Sequence, residues 1–165
     1  MRAMALDKEN LKKGILLALV LVAMGIGLPY MMGKQEASYF MVELPNGTQV
    51  LTEVADSPEK QVIGLFFAKE LPLNRALLYL YDEEDTHGLW TKNVHFPVDM
   101  IWMDRDRSIL HIQNSAPPCS NDPCPVYGPS QPESMYVLQA ANGFAKTHAL
   151  QPGMRMTFRM MRSGG

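Results

Sequence analysis

Four side chains close together in sequence carry the most chemistry: Trp90, Lys92, Asn93 and Asp99. Trp90 and Lys92 lie two apart, so on a strand they share a face. Asn93 and Asp99 flank residues 94–97, where an amide and a carboxylate can accept backbone N–H groups. A cation and hydrogen-bonding groups beside an aromatic wall suit a small polar or anionic ligand. The plainer role for the same residues is structural, with Asp99 satisfying the turn and the Lys92 stem lying over Trp90.

Cys119 and Cys124 close a loop of six residues. In an exported domain that loop suits a structural cystine, stabilising by about 2 kcal/mol through the unfolded chain. Two thiolates holding a metal would need two more ligands, and the spacing is not the Cys-x-x-Cys of redox sites. The histidines His87, His95, His111 and His148 fall on different elements, with no pair at i, i+2 or i, i+4. No metal set is therefore expected, although His95 or His111 could meet Asp99 or Asp104 after folding. No Gly-x-Ser-x-Gly elbow and no phosphate-cradling glycine loop is present, and no cofactor is expected.

The elements that must position these residues are short. Residues 39–44 and 49–54 are β-rich runs joined by Pro45, Asn46, Gly47 and Thr48, a hairpin signal. Asp56 and Ser57 offer N-caps, Pro58 suits a first turn, and Glu59 lies at capping-box spacing from Asp56. Val62, Leu65 and Phe66 then predict a helix of about ten residues with one face on the core. Further strands are expected over 76–81, 89–92, 98–104, 108–113, 135–140 and 154–161, with an acidic turn over 82–88 and a short helix over 142–148. In the last strand Met154, Met156, Phe158 and Met160 alternate with polar residues. Many short strands at close spacing favour a mostly-β fold, a β-sandwich or small barrel, over parallel βαβ units. Residues 114–134 stand apart, holding six of the twelve prolines and both cysteines. An irregular stretch of that length inside a compact domain is uncommon and usually functional.

With 165 residues, 47% apolar and 19% charged, the chain suits one globular domain plus an unusually apolar segment. A net charge of −2 argues against a nucleic-acid partner bound through phosphate neutralisation. Residues 14–32 hold no charge and are long enough for a helix to span a bilayer core. Arg2, Lys8, Lys12 and Lys13 precede them, so the first 33 residues carry +2 and the rest −4. The expected organisation is a cytoplasmic tail over 1–13, a transmembrane anchor over 14–32, a linker over 33–37 and a β-domain over 38–162. The positive flank orients the N terminus inwards and the domain toward the periplasm or exterior. A cleaved signal peptide is the rival reading of the same segment, since residues 16–28 would make an h-region. Either way the domain is exported.

From about Leu51 to Phe158 the chain resembles the DUF192 family, a domain of unknown function widespread in bacteria and archaea and often exported. The resemblance runs through Ala-Asp-Ser-Pro-Glu at 55–59, Gly64 and Leu65, Glu-Leu-Pro at 70–72, then Trp90, Lys92 and Asn93. It continues through Pro-Val-Asp-Met-Ile-Trp at 97–102, Ala-Pro-Pro-Cys at 116–119 and Cys-Pro at 124–125. Tyr127 and Gly128, Tyr-Val-Leu at 136–138 and Asn-Gly-Phe-Ala at 142–145 complete it. It implies a compact mostly-β domain with short helices and no particular activity. Three departures stand out: Thr91 where the family has methionine, Gln139 where it has glutamate, and Ala-Leu-Leu-Tyr at 76–79 for Gly-Met-Leu-Phe. Gln139 removes a carboxylate, so no acid/base role carries over there.

Two functions follow as expectations. The first is a membrane-anchored extracytoplasmic domain that binds a partner protein or a small polar ligand through Trp90, Lys92, Asn93, Asp99 and the 114–134 stretch. The second is a hydrolase using Asp99 with a histidine from another strand, which requires a histidine nitrogen within roughly 3 Å of that carboxylate.

Overall fold

A computed structural model describes residues 13, 15, 16, 20, 22, 38–131 and 133–161. Met1–Glu36 and Ala37–Gly165 form two separate compact units. In the first, Lys13, Ile15, Leu16, Val20 and Val22 are helical and exposed. The rest of the expected anchor lies outside the described residues, and among those described no helix is long and apolar enough to cross a membrane.

The second unit is mostly β. Its strands are β1 (Tyr39–Glu43), β2 (Gln49–Ala55), β3 (Arg75–Asp85), β4 (Leu89–Trp90), β5 (Val98–Met103), β6 (Ile109–Ala116), β7 (Val126–Tyr127), β8 (Ser134–Ala141) and β9 (Thr157–Met161). Two short helices, α1 (Pro58–Ile63) and α2 (Phe144–Thr147), complete it. Seven strands form one open sheet in the order β6-β5-β8-β3-β2-β1-β9, and β4 pairs with β7 in a separate ribbon. The expected sandwich or small barrel is thus a single open sheet. Beyond its outer strands the segments meet where Ser108 bridges Arg155, Ile109 N–H donates to the Met154 carbonyl, Gly153 N–H to the Ile109 carbonyl and Met156 N–H to the Arg107 carbonyl.

The pairing of β2 with β3 is parallel, although the short, closely spaced strands favoured a sandwich or small barrel over parallel βαβ units. A parallel pair cannot be joined by a tight turn, so the chain needs a long crossover, and residues 56–74 supply it with α1 inside. In the β1–β2 hairpin only Gly47 takes a positive φ, while the Asn46 Oδ1 accepts the Thr48 N–H.

The central strands β3, β5 and β8 are covered on both faces. Leu78, Ile101 and Leu138 join one core with Phe144, Leu150 and Met156. Leu77, Tyr79, Met100, Trp102 and Val137 join the other with Leu65 and Leu89. That double burial is why 76–81 and 98–103 read as apolar runs without alternation. The acidic residues 82–85, expected as a turn, instead prolong β3 beyond the covered region, where carboxylates stay in water while the backbone stays extended. Asp85 pairs with Ser134 across an irregularity after Leu80. In the last strand only part of the expected stripe is inside: Met156 is buried and Met160 is exposed.

Helix α1 departs most from expectation. Ser57 caps it, its Oγ accepting the Lys60 N–H at 3.4 Å, and Pro58 follows in the first turn. The Asp56 carboxylate accepts from the Lys60 ammonium at 2.7 Å, which holds its pKa below the ordinary carboxylate value. The helix ends after six residues, and none of its residues is buried. Leu65 alone of the predicted stripe reaches the core, while Val62 is 77% exposed and Phe66 42%.

Gly64 stops the helix at φ 48° and ψ −127°. A Cβ there would lie 2.5 Å from the Tyr79 hydroxyl oxygen. Gly64→Ala combines a glycine backbone conformation with that overlap and should destabilise by about 1–3 kcal/mol. A thermal melt checks this; an unchanged midpoint would show that the turn relaxes without cost.

Candidate binding groove beside Trp90

The ribbon of β4 and β7 sets Leu89 inward and Trp90 outward, with Leu89 opposite Tyr127 and Trp90 opposite Val126. Leu89 is buried in the second core, whereas Trp90 is 52% exposed. The stretch before β4 is pinned from two sides. The Trp102 indole N–H donates to the His87 carbonyl at 2.7 Å. The His87 ring stacks on Tyr81 with centroids 3.5 Å apart and planes 5° from parallel, and its Nε2 meets the Glu83 carbonyl at 2.9 Å.

Between this ribbon and α1 opens a cavity of about 350 Å³, lined by Pro58, Gln61, Val62, Tyr79, Tyr81, Leu89, Trp90 and Val126 among others. Two of the polar side chains on its walls have partners in the protein. The Gln61 amide donates to the Leu80 carbonyl at 3.0 Å, and the Tyr79 hydroxyl donates to Gln139 Oε1 at 3.2 Å. Burial raises the pKa of both phenols, that of Tyr79 well above the ordinary value and that of Tyr81 to about 12.

The four residues singled out in the sequence go to different places. Lys92 forms an ion pair with Asp122 at 2.7 Å. Asn93 takes a positive φ of 59°, and its N–H donates to the Cys119 carbonyl at 3.1 Å. Cys119 and Cys124 form a disulfide with Cα atoms 5.8 Å apart. The cystine loop is tied to β4's extension: Cys119 N–H donates to the Thr91 carbonyl, and the buried Thr91 hydroxyl donates to the Pro117 carbonyl at 2.7 Å. Lys92 and Asn93 thus secure this loop, and neither lines the Trp90 cavity.

Asp99 lies in another setting. It is fully buried, accepting the Ser115 N–H at Oδ1 (2.8 Å) and the Ala145 N–H at Oδ2 (2.9 Å). Ser115 has φ 52°, and Gly143 at the N-cap of α2 offers no side chain, so Asp99 supplies the missing acceptor from a distant strand. A second cavity, about 500 Å³, opens beside it, lined by Asn114, Ser115, Asn142 and Lys146 among others.

Among the described residues no histidine hydrogen-bonds to Asp99. His87 stacks on Tyr81, His111 lies against Trp102, and His148 lies against Phe144 with Asn46 beside its Nδ1. No group of three metal-ligating side chains occurs among them either. The signal that sequence reading missed is the pair Tyr79 and Tyr81. They sit on one face of β3 by alternation but looked like parts of a buried apolar run.

The fold and groove together define a mostly-β domain on an open sheet, with an aromatic recess and no assembled catalytic set among the described residues. Residues 41–158 match the family DUF192, described as Uncharacterized ACR, and the chain belongs to that family. No curated protein matches the chain. One solved structure similar to it is a putative transcription regulator from Sinorhizobium meliloti 1021, at 23% identity and TM-score 0.65, covering 74% of this chain and 93% of that one. Another is a protein of unknown function from Novosphingobium aromaticivorans DSM 12444, at 24% identity and TM-score 0.63, covering 73% of this chain and 84% of that one. At such identity the likeness extends to the fold alone.

Two outcomes test the geometry. Asp99→Asn keeps one acceptor but turns an N–H₂ toward a backbone N–H, and should destabilise by about 2–3 kcal/mol in urea unfolding. A loss well under 1 kcal/mol would remove Asp99 from its structural role. The Tyr81 phenol ionises at higher pH in the folded chain than in the unfolded one. Its contribution to stability is therefore complete below pH 10 and lost as pH rises from 10 toward 12. Tyr81→Phe should lessen that alkaline loss, which stability measured across this window reads directly.

Proposed function

We propose that this protein is a membrane-anchored, extracytoplasmic binding domain whose ligand, or partner side chain, enters the groove beside Trp90. The anchored reading is supported by the uncharged residues 14–32 with their basic flank. The observation that carries the binding reading is Trp90, half exposed on the rim of an apolar recess walled by Tyr79 and Tyr81. A large aromatic side chain left in water beside a preformed cavity is a common feature of recognition sites.

The same geometry favours an apolar or aromatic occupant over a small anion. The Lys92 cation is paired with Asp122 and lies outside the recess. The hydrolase reading loses its basis, because both Asp99 oxygens accept backbone N–H groups.

The two tryptophans provide the test, since Trp102 is fully buried and Trp90 is not. In a ¹⁵N-labelled full chain held in lipid nanodiscs, titration with N-acetyl-phenylalaninamide should move the Trp90 indole resonance and leave Trp102 in place. Trp90→Ala should weaken binding roughly tenfold or more. A Trp90 signal indifferent to the neutral aromatic probe, together with shifts on adding N-acetyl-aspartate, would return the site to a polar ligand.

A further inference from the structure

The apolar surface left bare by α1 continues past its end. Val62, Ile63, Phe66, Phe67 and Leu73 are all exposed, Phe67 at 78%, and the Phe66 and Phe67 rings pack edge to face at 4.7 Å. Ile63 and Phe67 share one cavity wall and the Phe66 ring packs on Phe67, and exposed apolar surface of this kind on a folded domain marks a place meant to be covered. Ile63, Phe67 and Leu71 line the cavity of about 510 Å³ that also takes in Tyr39. Tyr39 begins β1, so the patch lies beside the point where the sheet takes over from residues 33–37.

That position decides what covers it. Five linker residues reach at most about 18 Å when fully extended. With residues 14–32 in the bilayer, the Tyr39 end of the sheet is held near the lipid surface. We infer that the Ile63, Phe66, Phe67 and Leu73 patch rests on the membrane surface, seating the domain in a fixed orientation on the bilayer that anchors it; this inference rests on the anchored reading. Tyr39, 38% exposed, suits the interfacial level, where tyrosine places its ring among the acyl boundary and its hydroxyl in water. Lys69 and Arg75, both exposed at the edges of the patch, have stems long enough to reach headgroup phosphates. Glu53 and Glu70 are exposed and line the same cavity, so the contact is chiefly apolar insertion and depends little on anionic lipid.

The test uses the full chain reconstituted into phosphatidylcholine vesicles with brominated acyl chains, which quench nearby indoles. Phe67→Trp adds a fluorophore in the patch at an already exposed position. Thr157→Trp adds one opposite Glu43, at the other end of β1 from Tyr39. The emission added at position 67 should fall roughly twofold or more against unbrominated vesicles, while that added at 157 stays unchanged. Equal quenching at both positions, or at neither, in vesicles that carry the protein on flotation overturns the seated orientation and leaves the anchor standing. An unquenched and blue-shifted position 67 assigns the patch to a second copy of the chain and equally overturns it. A chain that fails to float with the vesicles overturns the anchored reading itself, and the seating with it.

Discussion

The buried Asp99 carboxylate organises one end of this domain. A carboxyl group removed from water must find donors within the protein, and here both are backbone N–H groups. One belongs to Ser115, held at a positive φ near the end of β6. The other belongs to Ala145, in the first turn of a four-residue helix whose N-cap is a glycine. The two oxygens therefore join β5, β6 and the segment after β8 at a single point. Strands β5 and β8 are adjacent in the sheet, so this joint also fixes where Phe144 enters the core. A side chain with a candidate chemical role in sequence thus becomes a hub of the fold, because its environment leaves neither oxygen free.

Legibility in the sequence followed burial. The hairpin of β1 and β2, the runs that became β5 and β8, and the Ser57–Pro58 helix start were all readable, since local capping and turn chemistry agreed with the final structure. The parallel pairing of β2 with β3 was not, because no local pattern distinguishes a buried parallel strand from an antiparallel one covered on both faces. Residues 82–85 misled for a related reason: acidic side chains suggest a turn, yet a strand can run on into water when its backbone ladder allows. For the candidate site, Trp90 was legible as an aromatic wall. Its companions Tyr79 and Tyr81 were not, because their strand reads as core and the recess needs α1 and β7 brought against it.

The buried polar side chains behind the groove make physical sense together. The hydroxyl of Tyr79 donates to the amide oxygen of Gln139. A phenol added to a buried position requires an acceptor, and a neutral amide supplies one without placing a charge in the core. Thr91 is also fully buried and donates to the Pro117 carbonyl. Each of these buried polar groups is matched by a partner, consistent with the absence of unpartnered buried side-chain atoms among the described residues. The Tyr79 pair lies behind the Trp90 recess and Thr91 ties down the cystine loop, so these hydrogen bonds support the groove behind its aromatic rim.

The shortness of α1 connects the two surfaces of interest. A crossover helix between parallel strands ordinarily lays an apolar stripe on the sheet, but Gly64 ends this one after six residues, and Leu65, with Ala68 and Leu71 beside it, packs inward only after the helix has ended. Val62 is left on the rim of the Trp90 recess, and Ile63 on that of the cavity beside Tyr39. Apolar side chains in water add nothing to folding, since their burial is what the hydrophobic effect rewards. A helix that keeps them exposed on two sides is better explained by external contacts than by stability. Gly64 is what permits this, for it lets the chain turn while the Tyr79 hydroxyl occupies the space a side chain would need. The same hydroxyl reaches Gln139 in the core, so one hydrogen bond couples the ridge between the two surfaces to the centre of the sheet.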